Sequence, residues 1–242
     1  MTLASAVAPL GTILSLWAHP DDESYLCAGI MAAAADNGQR VVCVSASAGE
    51  RGTPDAGRWP PERLGRMRRW EAAAAMAVLG VADHRFLDLP DGGMAGLDPA
   101  PEIARIGALL DEVRPDTILT FGPDGGTFHP DHQALSAWTT AAWHDAGRPG
   151  RLLQAAQAQD HLDAWLPMFD ELGVFMTDER PTGHPSDRLA LDLHLAGDLL
   201  DRKMAALCAM FTQIGPLVAA VGEEAFWAAN AREMFVDADL HR

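Results

Sequence analysis

Two acid-imidazole clusters, each set behind a short apolar run and ahead of a helix-like stretch, constrain this chain more than any other feature. The first run, Thr12 to Trp17, ends in Ala18-His19-Pro20-Asp21-Asp22-Glu23. The second, Thr117 to Phe121, is followed across a glycine-containing loop by His129-Pro130-Asp131-His132. Apolar runs of this kind are what strands buried in a parallel sheet show. If both belong to one sheet, the clusters meet above the carboxyl ends of the strands, where open α/β sheets keep their sites.

The intervening chain supports that alternation. Glu23 to Ala35 reads as an alanine-rich helix stopped at Asn37-Gly38, and Arg40 to Ala46 as a second strand. Ser45 to Pro61 is a loop rich in Gly, Ser and Pro, and Pro61 to Leu79 a long helix ended by Gly80. His84 to Leu87 is a brief third strand before the turn-like Pro90-Asp91-Gly92-Gly93. The spacing of Ile103, Ile106, Leu109, Leu110 and Val113 predicts a helix over Glu102 to Val113, with a further one over His132 to Ala146. The expected fold is therefore α/β, a Rossmann-like three-layer sandwich with a mainly parallel sheet. No Gly-x-Gly-x-x-Gly follows the first strand, which argues against a dinucleotide ligand.

After Gly147-Arg148-Pro149-Gly150 the rhythm weakens. Strands are expected at Leu152 to Ala156 and Leu189 to Leu193, and a helix at Ala196 to Met210, while Thr177 to Ser186 suits a segment crossing the mouth of a cleft. The expected organisation is one domain over 1–242, with 1–150 the α/β core and 151–242 a less regular portion shaping the substrate cleft.

Composition narrows the partners. A formal net charge of −16, from 34 acidic against 18 basic residues, opposes binding to a phosphate backbone, so no nucleic acid is expected. Three scattered cysteines, Cys27, Cys43 and Cys208, do not make a disulfide framework, and a cytoplasmic location is expected. Met1 to Trp17 is apolar but lacks the positive start of a signal peptide, and reads as a disordered tip leading into strand one. No uninterrupted apolar stretch reaches the ~18 residues of a membrane span, so none is expected. A homo-oligomer is left open.

The chemistry lies in the two clusters. His19 with Asp21 or Asp22 offers a zinc ligand pair and a spare carboxylate as base, and His129, Asp131 and His132 offer the complement. Either cluster alone could equally be a capped helix start, since Asp commonly accepts the first helical N–H groups. Two of them, each behind an apolar strand, favour a metal or hydrolytic site.

The pair of motifs, Ala18-His-Pro-Asp-Asp-Glu23 and Gly125-Gly-Thr-Phe-His-Pro-Asp-His132, resembles the PIG-L/LmbE-like family of zinc-dependent N-acetylglucosamine deacetylases. Ser47-Ala-Gly-Glu-Arg-Gly52, Arg68-Arg-Trp-Glu71 and Leu87-Asp-Leu-Pro-Asp91 extend the likeness, which covers Thr12 to Ala146. The resemblance implies one Zn2+ per chain held by His19, Asp22 and His132, with Asp21 as general base, His129 stabilising or protonating the tetrahedral intermediate, and Asp131 orienting His129. It implies a hydrolase whose substrate is a small N-acetylated sugar or its conjugate, with Glu50, Arg51, Arg68 and Asp91 as candidate substrate contacts. An internal Arg68 to Glu71 ion pair competes with that role for Arg68. Phe128 stands where relatives often have Gly, and Met210 where many have His. The remaining histidines, His84, His144, His161, His184, His194 and His241, carry no partner pattern and read as structural or surface groups. A deacylase of another small N-acyl metabolite, or a non-catalytic sugar-binding protein that keeps the metal shell, are the alternatives. Asp21, Asp131 and both distal histidines argue against mere binding, which would not need a base and an acid.

Overall fold

The computed structural model describes residues 3–53 and 55–241, with the side chains of 240 and 241 outside that description. The expectations for Met1, Thr2, Pro54 and the His241 ring therefore fall outside the described residues.

Five strands and the helices between them follow the alternation read above. In chain order they are α1 (Leu3–Val7), β1 (Ile13–Trp17), α2 (Asp22–Leu26), α3 (Ala28–Asp36), β2 (Val41–Ser45), α4 (Pro61–Leu79), β3 (Asp83–Phe86), α5 (Pro99–Val113), β4 (Thr117–Phe121), α6 (Pro130–Asp145) and β5 (Arg151–Ala155). The later elements are α7 (Gln159–Glu171), β6 (Leu191–His194), α8 (Asp198–Ala209), α9 (Phe211–Val221), α10 (Glu223–Asn230) and β7 (Arg232–Asp237). The expected tip ahead of strand one is instead helical, with Val7 and Leu10 buried in the core.

All seven strands form one sheet in the order β3-β2-β1-β4-β5-β7-β6. The pairs among β1 to β5 are parallel, whereas β7 lies antiparallel to both β5 and β6. The chain thus winds outward from β1 in one direction through β2 and β3, then returns to the other side of β1 as β4 and β5. Right-handed crossovers in opposite directions place helices on opposite faces. Accordingly α3, α4 and α8 pack together, and α5 packs on α6. The strand order reverses between β1 and β4, and the crevice at such a point is where ligands bind. Both motifs emerge there.

Strands β1, β2 and β4 are buried at every position, as their largely apolar character requires, with Ser15, Ser45, Thr117 and Thr120 buried among the apolar residues. The helix α4 has the expected bounds, and Gly80 ends it in the left-handed conformation, φ 77°. The expected helix over Glu23 to Ala35 is in fact two, broken at Cys27. The reason lies far away in the chain. Glu233 of β7 accepts the main-chain N–H groups of Gly29 (2.8 Å) and Ile30 (2.9 Å), supplying the start of α3 with acceptors of its own. Glu233 is in turn paired with Lys203 of α8 at 3.0 Å, both side chains fully buried.

Among the described residues no single helix is long and apolar enough to cross a membrane.

Candidate metal and catalytic site

Trp17 ends β1 and Phe121 ends β4, so the loops that follow them carry their side chains into the same crevice. Trp17 meets Phe121 edge-on at 4.9 Å, and Phe121 stacks on His132 with ring centroids 4.1 Å apart. Core packing of Trp17 thereby reaches the site through one intermediate ring.

Three side chains converge through four atoms: Nδ1 of His19 lies 3.1 Å from Nε2 of His132 and 3.5 Å from Oδ2 of Asp22, and Nε2 of His132 is 3.4 Å from the other carboxylate oxygen, Oδ1, of Asp22. The protons of both rings are accounted for elsewhere. His132 Nδ1 donates to the carbonyl of Gly125 (2.9 Å), which can only accept. Nε2 of His19 faces two carboxylates, Asp91 Oδ1 at 3.1 Å and Asp131 Oδ2 at 3.4 Å. With the neutral rings so arranged, three lone pairs point at one another with no proton between them. Donor atoms of a tetrahedral zinc with bonds of ~2.0–2.1 Å stand about 3.3–3.4 Å apart, so the triangle fits a divalent ion.

With no ion bound, His19 is the group that takes up a proton, which a metal ion would displace from Nδ1. Burial disfavours protonation of His19, but hydrogen bonds to Asp131, Asp22 and Asp91 outweigh it and raise its affinity for positive charge well above the usual histidine range. Burial raises Asp22, yet His132 and His19 beside it bring its carboxyl down to about 2. Burial lowers His132 to about 4, which leaves its ring neutral and its Nε2 free to ligate. Counting one ligand atom per residue, the two groups among the described residues whose atoms all lie within 4.8 Å of one another are His19 with His129 and His132, and His19 with Asp91 and Asp131; Asp22 meets the two histidines through different oxygens.

Asp21 adjoins this triangle. Its main chain has φ 133°, a conformation costly for any side chain with a Cβ. The Glu23 carboxylate accepts its N–H (3.1 Å), and Arg68 donates to its Oδ2 (3.0 Å). Burial pushes Asp21 up to about 6, against the pull of Arg68. Burial likewise pushes Glu23 up to about 8. Arg68 also donates to the carbonyls of Gly49 and Pro20, and a Cβ on Gly49 would lie 2.0 Å from its guanidinium. The competing ion pair does not form: Glu71 instead accepts the N–H and the hydroxyl of Thr212.

His129 caps α6, its Nδ1 accepting the Asp131 N–H at 3.1 Å, so the ring proton of the neutral form sits on Nε2. Its ring lies 4.8 Å, centroid to centroid, from both His19 and His132. The Asp131 carboxylate does not orient it. That carboxylate accepts main-chain N–H groups from Gly92 (2.7 Å) and Met94 (2.9 Å) and faces His19. Being the second residue of a helix, its side chain turns back toward the β3 loop, away from the His129 ring.

Phe128 has φ 60°, so the position where relatives often carry Gly is one that favours Gly. Gly125 is needed for a different reason, since a Cβ there would lie 2.7 Å from the His132 Cβ.

The site opens into a cavity of about 660 Å³. Of the expected substrate contacts, Arg68 and Asp91 line it, but Glu50 and Arg51 do not. Glu50 accepts the Asp91 N–H (3.1 Å), and the Arg51 main chain donates to the Asp91 carboxylate (2.6 Å). They hold Asp91 in place while lying behind it. His161 and His184, expected to be bystanders, do line the cavity, as do Pro181 and Thr182 of the segment expected to cross its mouth. Met210 is buried in the core. Sequence reasoning missed the Gly125 carbonyl and the apolar wall supplied by α7 and α10. For Tyr25 a signal existed: it sits three residues after Asp22, on the same face of α2.

A mainly parallel α/β sheet with a His/Asp cluster at its switch point has the layout of a metal-site α/β enzyme. Residues 14–143 match the family described as GlcNAc-PI de-N-acetylase (PIG-L), and the chain belongs to that family. It is 31% identical over 246 residues to a 1D-myo-inositol 2-acetamido-2-deoxy-alpha-D-glucopyranoside deacetylase of Saccharomonospora viridis, covering 90% of this chain and 89% of that one. The protein of the same description from Kineococcus radiotolerans is 37% identical over 158 residues, a stretch that spans 54% of this chain and under half (44%) of the relative. The fold is shared with the N,N'-diacetylchitobiose deacetylase of Pyrococcus horikoshii, with a TM-score of 0.66 at 18% identity, over 93% of this chain and 83% of that one.

Proposed function

We propose that this chain is a zinc-dependent hydrolase that removes the N-acetyl group from an N-acetylglucosamine-like amino sugar or its conjugate, releasing acetate and a primary amine. The observation that carries the reading is the convergence of His19 Nδ1, His132 Nε2 and the Asp22 carboxylate at 3.1–3.5 Å, a two-histidine, one-carboxylate donor set that would leave a position for the reacting group on a four-coordinate ion. An ion held there supplies Lewis acidity toward water and the amide carbonyl.

The chain's own residues do the rest. Asp21, which burial holds near neutrality, takes the proton from water as its oxygen adds to the carbonyl carbon. The Nε2–H of His129 donates to the oxygen that gains charge, a role suited to a ring that burial and His19 keep neutral. The C–N bond breaks once the nitrogen has received a proton, because an unprotonated amine is a poor leaving group. Arg68 fixes the Asp21 carboxylate, and Asp131 and Asp91 hold the His19 ring so that Nδ1 faces the ion. Asp91 is the proposed contact for sugar hydroxyls.

Metal analysis of purified protein, joined to an acetate-release screen over N-acetylated amino sugars, tests this reading. The expected result is one zinc per chain and turnover of at least one sugar. With metal content held equal, Asp21→Asn lowers turnover by roughly two to four orders of magnitude. Full activity of that variant would remove Asp21 from the mechanism.

A further inference from the structure

The cavity is far larger than the metal triangle needs, and its two halves differ in chemistry. The groups around the triangle come from the first 150 residues and are polar or charged. Across the cavity stand Tyr25, Leu26, Phe169, Leu172, Phe226 and Met234, three of them from α7, α10 and β7 and Leu172 from just past the end of α7. Tyr25 and Phe226 meet at 6.3 Å, which closes the wall from α2 to α10.

The charges present on this side are already spent. Arg232 makes paired contacts with Asp192 (2.6 Å each) and a third with Asp160 (2.9 Å). Glu233 is taken by Lys203 and by the start of α3. Gln157, His161, Thr182, His184 and Asn230 also line the cavity, but a hydroxyl buried against Leu26, Phe169, Leu172, Phe226 and Met234 finds no partner among those apolar side chains and costs more than the hydrogen bond it loses, so a polyol is poorly placed against that part of the wall. The inositol named for the relatives is a polyol of this kind.

We infer that the substrate carries an apolar group of several carbons, alkyl or aryl, joined to its N-acylated amino sugar and lodged against this wall. The inference rests on the deacylase reading and adds a substrate class to it. The cavity volume falls within the ~300–1,000 Å³ usual for sites that enclose a drug-sized ligand. Two sources share this chemistry, a hydrophobic aglycone and a longer N-acyl chain.

Two substrate series separate them: N-acetylglucosamine glycosides from methyl to octyl, and N-acylglucosamines from acetyl to octanoyl. In one series kcat/KM is expected to rise about fourfold per methylene, equivalent to about 0.8 kcal/mol, until the wall is covered. The rising series identifies the source. Phe169→Ser and Leu172→Asn, both at half-buried positions, should lower the octyl-to-methyl or octanoyl-to-acetyl ratio at least tenfold. A measurement independent of turnover is calorimetry of octyl and methyl 2-amino-2-deoxyglucosides, where the octyl compound should bind with the more negative heat-capacity change. Flat or falling kcat/KM in both series, preference for an inositol conjugate over every apolar one, ratios unmoved in both variants, or, where the glycoside series is the one that rises, equal heat-capacity changes would each overturn the inference. If short N-acetyl sugars still release acetate, the deacylase reading survives. If no N-acyl amino sugar of either series is hydrolysed, that reading fails first.

Discussion

The carboxylate of Asp131 lies 3.4 Å from Nε2 of His19, and two main-chain N–H groups, from Gly92 and Met94, hold it there. One motif thus orients a proposed ligand of the other, across 112 residues of chain. Asp131→Asn keeps an acceptor for only one of those two N–H groups, which go to different oxygens, and weakens the pull on the ring proton. Metal affinity is expected to fall about 10- to 100-fold, with activity largely restored at saturating zinc. Competition with a chelator measures the first, and a metal titration of activity the second. Unchanged affinity would leave Asp131 with a purely structural part.

The Phe128 backbone at φ 60° supplies a test free of catalytic assumptions. Phe128→Gly should be more stable than Phe128→Ala by about 1 kcal/mol, since both lose the ring and only Ala keeps the Cβ penalty. Urea unfolding of the two variants reads the difference. An alanine variant of equal stability would show that the loop relaxes away from this conformation.

Lys203 and Glu233 are buried together, and Glu233 also caps the start of α3. Lys203→Met leaves an uncompensated buried carboxylate and should cost about 3–5 kcal/mol of stability. Adding Glu233→Gln, which retains an acceptor for α3, should recover part of the loss. A double variant as unstable as the sum of the two singles would mean that the pair is not coupled.

His84 accounts for part of the response to acid. Burial, then the neighbouring Arg69, hold its ring down to about 4, against about 6.5 in an unfolded chain. Between those values the unfolded state binds the proton and the folded state does not, so stability is full above about pH 6.5 and falls as the pH drops toward 4. His161, brought to about 4 by burial, adds to the same window. His84→Gln should therefore lose less stability than the parent between pH 7 and pH 4.5 in denaturant titrations. An unchanged slope would place the acid sensitivity in other groups.

Much of the α/β core was legible because its strands are buried on both faces and its helices carry one apolar side. Thr117 to Phe121 and Pro61 to Leu79 have the bounds their patterns predict, and both motifs fall at strand ends. The C-terminal strand β7 was not legible. Its run, Arg232-Glu-Met-Phe-Val-Asp237, begins with two charged residues, and both are neutralised by partners distant in the chain. The same limit hid the break at Cys27 and the apolar wall of the cavity, where α7 and α10 look like ordinary amphipathic surface helices.

The sequence by itself determined which groups are available for chemistry and that they would meet, since two apolar strands ending in acid and imidazole have one sheet edge in common. The tertiary structure alone decided how those groups divide the work. Asp131 serves His19 and not His129, Glu50 and Arg51 stand behind Asp91, and Arg68 belongs to Asp21 and not to Glu71. The physical reason is that motif spacing sets the end of the sheet at which a side chain arrives. Its hydrogen-bond partner is set by packing across a hundred residues of chain, where each buried polar atom takes the nearest group able to satisfy it.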